Sequence, residues 1–147
     1  MKPSVVPAKK VEILLVEDNA GDIRLIQETF KAGGAYKNLN VTRDGEEAMA
    51  FLRQEGEYSK SPRPVMILLD LNLPRKDGRE VLAEIKMDNG LRQIPVVILS
   101  TSTSAEDVRR AYDLHANCYV PKPLDLDKLI ELGRSLEEFW LNKALLP

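Results

Sequence analysis

The chain is expected to fold as a doubly wound α/β domain, a five-stranded parallel sheet with helices on both faces, and three observations lead there. Short apolar runs alternate strictly with longer amphipathic stretches along its 147 residues. Three of those runs are nearly continuous in Val, Ile and Leu, as parallel strands buried on both faces require. The length suits one hydrophobic core, which typically serves roughly 100–200 residues.

The runs are Val11–Val16, Leu39–Thr42, Val65–Leu69, Val96–Leu99 and Cys118–Val120. After the first, Ile23, Ile26 and Phe30 recur at helical spacing, with Gly33-Gly34 as a stop. After the second, Asp44-Gly45-Glu46-Glu47 has the form of a capping box, opening a helix that carries Ala48, Phe51 and Leu52. Val81, Leu82 and Ile85 make the third apolar stripe, and Val108, Ala111 and Leu114 the fourth. The last stripe, Leu129, Leu132, Leu136 and Trp140, is expected to end near Leu141. Strict strand–helix alternation implies right-handed crossovers and a three-layer α/β/α sandwich.

Residues 1–10, with Pro3, Pro7, Lys2, Lys9 and Lys10, read as a flexible arm, and residues 11–147 as a single domain with no output domain. The 44% apolar and 30% charged content is that of a globular chain, which excludes a disordered or collagen-like one. Lys and Arg (21) against Asp and Glu (23) give a net charge of −2, so no basic field attracts nucleic acid. Cys118 is the only cysteine and fits a reducing cytosol. No apolar run approaches the roughly 18 residues of a membrane span, and Met1–Lys10 lacks the apolar centre of a signal peptide. A cytoplasmic protein is expected, with neither nucleic acid nor membrane as partner.

Open parallel sheets bind ligands beyond the carboxyl ends of their strands. Glu17-Asp18 follow the first run, Asp70 the third, Ser100-Thr101 the fourth and Lys122-Pro123 the fifth. Each alone has an ordinary explanation: Asp18 or Ser100 as a helix cap, Lys122 as a solvated loop charge, Glu17 as an exposed acid. Together they bring three carboxylates, a hydroxyl and an ammonium to one sheet edge. At roughly 4 Å and an effective dielectric near 20, each like-charge pair costs about 4 kcal/mol. A hard divalent cation with oxygen ligands, Mg²⁺ foremost and Mn²⁺ or Ca²⁺ as substitutes, is expected to relieve that repulsion.

Four segments carry a resemblance to the receiver domain of two-component response regulators. They are Leu14-Leu15-Val16-Glu17-Asp18-Asn19, Leu68-Leu69-Asp70-Leu71-Asn72-Leu73-Pro74 with Asp77-Gly78, Pro95-Val96-Val97-Ile98-Leu99-Ser100, and Tyr119-Val120-Pro121-Lys122-Pro123. They occur in the family's order and spacing, over residues 11–140. The resemblance implies a flavodoxin-like, CheY-like sandwich with strand order 2-1-3-4-5 and five helices. Ser100-Thr101-Ser102, the extended Gln54–Pro64 segment and Phe139-Trp140-Leu141 narrow it to single-domain regulators paired with cyanobacterial phytochromes.

That resemblance implies roles. Asp70 is the phosphoacceptor for a phosphohistidine on a partner sensor histidine kinase, a phytochrome. Asp18, Asp70 and the backbone carbonyl of Asn72 hold Mg²⁺, with Glu17 acting through water. Lys122 neutralises a phosphoryl oxygen, as an ammonium point charge suits, and Lys122-Pro123 resembles the family's cis peptide. Ser100 turns toward the new phosphoryl group and Tyr119 turns inward behind it, altering the surface of the fourth helix, fifth strand and fifth helix. The chain is then a signalling phosphoacceptor that assists its own phosphorylation and dephosphorylation, not an enzyme. Thr101, branched where the family is usually small, narrows access to Asp70, and Asn72 and Ser102 flank the attack position for water.

Phe139, Trp140 and Leu141 sit at adjacent helical angles that one core does not easily accommodate, so a homodimer contact is expected there. The lone His115 reads as a structural residue on a surface helix. An aspartyl-phosphate hydrolase needs a second acid two residues after its nucleophile, where Asn72 stands. A flavodoxin-type carrier needs a hydroxyl- and glycine-rich loop where Glu17-Asp18-Asn19 stands. The remaining alternative is a phosphorylation-independent interaction module on the same fold.

Overall fold

The computed structural model describes residues 11–32 and 37–147. The elements are β1 (Val11–Val16), α1 (Ala20–Ala32), β2 (Lys37–Thr42), α2 (Gly45–Arg53), a 3-10 turn (Gly56–Tyr58), β3 (Met66–Asp70) and α3 (Gly78–Met87). They continue with β4 (Val96–Ser100), α4 (Ala105–Asp113), β5 (Cys118–Pro121), α5 (Leu126–Leu136) and a π-helical turn (Glu137–Lys143). Every pairing is parallel and the sheet order is β2-β1-β3-β4-β5, as expected. The chain reverses its direction across the sheet between β1 and β3, which opens a crevice beyond the carboxyl ends of those two strands.

Alternation along the strands builds a core on each face. Leu14, Val16, Ile67, Leu69, Val96 and Ile98 pack with Phe51, Val81, Leu82, Ile85 and Ala111 of α2, α3 and α4. Ile13, Leu15, Met66, Leu68, Val97 and Leu99 pack with Ile23, Ile26 and Phe30 of α1 and Leu136 of α5. All five residues of β3 and of β4 are buried, whereas β5 is half-buried along Cys118–Val120. Each fully buried Leu, Ile or Val contributes about 1.5–3 kcal/mol, so the central strands that carry the site are the most firmly held.

The caps follow the sequence with one change. Asp44 Oδ1 accepts from Glu47 N at 2.7 Å, but Glu47 returns its bond to Arg43 N at 3.3 Å, one residue before the cap. Asp77, Ser104 and Asp125 cap α3, α4 and α5 through their side chains. The Gln54–Pro64 segment is tied back to α2: Ser61 Oγ donates to Phe51 O at 2.7 Å, and the Phe51 and Tyr58 rings meet edge-on at 5.5 Å.

Several expectations are corrected. β2 begins at Lys37, two residues before the apolar run, because an edge strand tolerates polar side chains: Asn38 and Asn40 Nδ2 both donate to Glu12 Oε2 on β1, at 2.9 Å. The last helix does not keep α geometry to Leu141. It widens after Leu136 into a π turn closed by Ala144 N donating to Phe139 O at 2.8 Å. Buried Glu137, ion-paired with Lys37, anchors the point where it widens. His115 is not on the helix; in left-handed backbone (φ 71°) just beyond α4, it stops that helix, its N–H donating to Tyr112 O at 2.9 Å. The Met1–Lys10 arm and the Gly33-Gly34 stop lie outside the described residues.

Candidate functional site

Val16 on β1 pairs with Leu69 on β3, so Glu17 and Asp70, one residue further along each chain, leave the sheet side by side. Both are buried, at 1% and 7% exposure, while Asp18 is exposed. Glu17 is thus not the surface acid its isolated position would suggest. Each buried carboxylate is aimed by backbone two residues on: Asn19 N donates to Glu17 Oε1 at 3.1 Å, and Asn72 N to Asp70 Oδ1 at 3.0 Å. The loop after Asp70 turns back tightly against α3. A Cβ on Gly78 would stand 2.3 Å from Asp70 O and 2.5 Å from Leu71 Cα, so only glycine allows that approach.

β5 supplies the positive charge. Lys122 N donates to Ser100 O at 2.7 Å, and its ammonium reaches back over the sheet edge. Nζ donates to Glu17 Oε2 at 2.7 Å, to Asp70 Oδ2 at 3.0 Å and to Asp22 Oδ2 at 3.1 Å. Among the described residues no peptide bond is cis, so Lys122–Pro123 is trans, contrary to expectation. Trans is the ordinary preference by about 0.5–1 kcal/mol, and the ammonium reaches all three acids with it.

Burial pushes the Glu17 carboxyl up from 4.5 to about 7, against the opposing pull of its bond from Lys122. For Lys122, burial pulls downward, but the bonds to Glu17 and Asp70 outweigh it and the ammonium ends above its ordinary value. Glu17, Asp22 and Asp70 therefore surround one ammonium, with the Asp18 carboxylate beside two of them.

This donor set fits a hard divalent cation. One oxygen from each of Glu17, Asp18 and Asp70 lies within 4.8 Å of the others. Ligands opposite one another around Mg²⁺ or Ca²⁺ stand roughly 4–5 Å apart. All three donors are carboxylate oxygens, the chemistry those ions and Mn²⁺ accept.

Ser100 is buried at 1% exposure on β4, one residue beyond Leu99, which pairs with Asp70. Its Oγ accepts from Ser102 N at 3.1 Å. Tyr119 is half-buried with its ring against the α2–α3–α4 core, and its hydroxyl donates to Ser102 O at 2.8 Å. Thr101 is exposed. Phe139, Trp140 and Leu141 belong to the π turn beyond α5: Phe139 is 56% exposed and stacks edge-on against Trp140 at 5.5 Å. Trp140 and Leu141 rest partly on the α1–α5 core.

Two contributors escape the sequence reading. Asp22 sits in the first turn of α1, where Asn19 Oδ1 accepts its N–H at 2.9 Å and turns it back toward the crevice. The signal is an acid in the first turn of the helix leaving an acid-tipped strand. Arg79 bridges two acids, Asp77 and Asp107, and no sequence spacing joins those partners.

Comparison with known proteins fits this geometry. Residues 13–134 match the model of the response regulator receiver domain. The chain belongs to that family. As a receiver domain it is 54% identical over 135 residues to response regulator Rcp1 of Synechocystis sp., covering 92% of each chain. It is similar to the crystal structure of the Mn²⁺-bound form of Rcp1, with TM-score 0.90 and 53% identity over 93% of this chain and 99% of that one. It is likewise similar to the phosphorylated cyanobacterial phytochrome response regulator RcpA, with TM-score 0.91 and 56% identity over 94% and 99%. The strand order and helix number are those of a receiver, and the acidic cluster fits the divalent cation expected from the sequence. Among the described residues, no helix is long and apolar enough to cross a membrane.

Proposed function

We propose that this receiver domain works as a cytoplasmic response regulator that takes a phosphoryl group onto Asp70 from a phosphohistidine of a sensor histidine kinase, a phytochrome. The observation that carries the reading is the buried Asp70 carboxylate with a buried ammonium 3.0 Å from Oδ2 and two further carboxylates beside it. An oxygen of Asp70 forms the new P–O bond, the P–N bond to the histidine breaks, and the imidazole leaves with that electron pair. Such transfers depend on positioning and charge neutralisation. Asn72 N holds Asp70 Oδ1, so the carboxylate meets the donor in a fixed orientation. Lys122 is placed to follow the charge from the carboxylate to a phosphoryl oxygen. Asp18, Asp70 and the carbonyl of Asn72 would hold Mg²⁺, with Glu17 one water away; when bound, it supplies further neutralisation of the phosphoryl oxygens.

Ser100 and Tyr119 are the switch pair, both already tied to Ser102. Phosphorylation adds roughly −1.5 to −2 charge by analogy with other phospho-residues, and Ser100 turning to it alters the α4–β5–α5 surface. The resulting surface, not catalysis on a second substrate, is the output. Exposed Phe139 against Trp140, with Leu141 beside it, supports a homodimer contact at the C-terminal turn; light scattering should give a dimer mass for wild type and a monomer mass for Phe139→Ala, and equal masses would remove the idea. The phytochrome partner is supported by the resemblance to Rcp1 and RcpA. A radiolabelled, autophosphorylated phytochrome kinase should pass its label to wild type and not to Asp70→Asn. Retention of the label on the kinase with wild type present would reject that partner.

A further inference from the structure

We propose that Arg79 is a positioning residue that holds the loop between β4 and α4 in its present arrangement and so restrains phosphoryl uptake, an inference that rests on Asp70 being the acceptor. Arg79 is the second residue of α3, the helix that follows the acceptor loop. Its guanidinium ties the end of the loop leaving β3 to the first turn of α4. Nη1 lies 3.4 Å from Oδ2 of Asp77, at the end of the loop leaving β3, and Nη2 donates to Oδ1 of Asp107 in α4 at 3.1 Å.

From Asp107 the connection runs to the switch pair. Asp107 Oδ2 accepts from Ser102 Oγ at 2.6 Å. Ser102 N donates to Ser100 Oγ at 3.1 Å, and Ser102 O accepts from Tyr119 Oη at 2.8 Å. Ser102 is thus held at its side chain, its N–H and its carbonyl. Through it, one charge on α3 fixes the two groups that must turn when Asp70 is modified.

The bridge is also made to release. Arg79 Nε is buried with no hydrogen-bond partner among the described residues. An unsatisfied buried donor cancels part of what the ion pair gains. The arginine and Asp107 side chains keep 21% and 27% exposure, so water competes for both. An added charge on Asp70 can therefore shift the balance between this bridge held and released.

The test compares wild type, Arg79→Gln, Ser102→Ala and the double variant in Mg²⁺ with a small acyl-phosphate donor, timing phosphoryl uptake by intact mass. Amide chemical shifts of Ser102 and Tyr119 report the loop independently of uptake. Arg79→Gln is expected to speed uptake about two- to fivefold, the shift in population that loss of one partly exposed charged bridge permits. It should also move both amide signals. Ser102→Ala should speed uptake to the same extent and move the Tyr119 amide signal, and the double variant should be no faster than either. An Arg79→Gln protein with wild-type rate and wild-type amide signals would overturn the proposal, as would effects that multiply in the double variant. If Arg79→Gln does not fold, Asp107→Asn keeps an acceptor for Ser102 Oγ while removing the charge; a faster rate there supports the bridge and an unchanged rate rejects it. A wild-type chain that takes up no phosphoryl group overturns the reading of Asp70 instead. That outcome is distinct from equal uptake by wild type and variants.

Discussion

Replacing Lys122 with Met removes the ammonium that joins three carboxylates while keeping an apolar stem of similar length. In the native chain that ammonium stands 2.7 Å from Glu17, 3.0 Å from Asp70 and 3.1 Å from Asp22. Without it, Glu17 and Asp70 face each other buried and uncompensated, a situation that typically costs about 3–5 kcal/mol. For a chain of 147 residues each kcal/mol lowers Tm by about 2–4 °C, so a fall of roughly 6–20 °C is expected. The assay is thermal unfolding followed by circular dichroism at pH 7.5, in chelator and in Mg²⁺. The fall should be larger in chelator, where no other counter-charge is available. It should shrink toward pH 5, because Glu17, pushed up to about 7, takes up a proton across that window. Both groups are raised, so both contributions decline as pH rises, but in separate windows. Glu17's pKa lies above its unfolded value, so its contribution to stability is full at low pH and declines between about 4.5 and 7. The Lys122 contribution is complete below its ordinary 10.5 and is lost only above that. A Tm within about 2 °C of wild type in chelator would mean that desolvation already cancels the attraction, and would refute this account of the cluster.

Gly78→Ala places a methyl against two backbone atoms, Asp70 O at 2.3 Å and Leu71 Cα at 2.5 Å; urea unfolding should show a loss of about 3 kcal/mol or more, and a loss under about 1 kcal/mol would contradict the tight turn. With the Glu17 carboxyl at about 7, a proton competes with the cation. Mg²⁺ affinity measured by calorimetry should be roughly tenfold weaker at pH 6 than at pH 8, and a pH-independent affinity would show that Glu17 does not take part. Burial pushes the Cys118 thiol above its ordinary value, so alkylation at pH 8 should be several-fold slower than for an unfolded control; equal rates would place the thiol in water.

The alternation of runs made the sheet, its parallel sense and both helical layers legible, because residues buried on both faces leave continuous Val–Ile–Leu runs such as Val65–Leu69 and Val96–Leu99. Strand order came with the family resemblance. Local chemistry does not state which strand neighbours which. Asp70 and Lys122 were readable as strand-end polar groups. The burial of Glu17 beside exposed Asp18 was not, since adjacent acids look alike until the turn after β1 points one inward. Asp22 and Arg79 lay hidden for a related reason: their partners are 100 and 28 residues away. The π turn after Leu136 left no periodic mark, because it spans a single stretch and its anchor, Lys37, belongs to the far edge strand.

The central claim is that the carboxylate of Asp70 receives the phosphoryl group, and intact-mass analysis after incubation with a small acyl-phosphate donor tests it most directly. Wild type in Mg²⁺ should gain the mass of one phosphoryl group, sensitive to hydroxylamine as an acyl phosphate is, while Asp70→Asn and wild type in chelator should gain none. The same gain in Asp70→Asn would contradict the account.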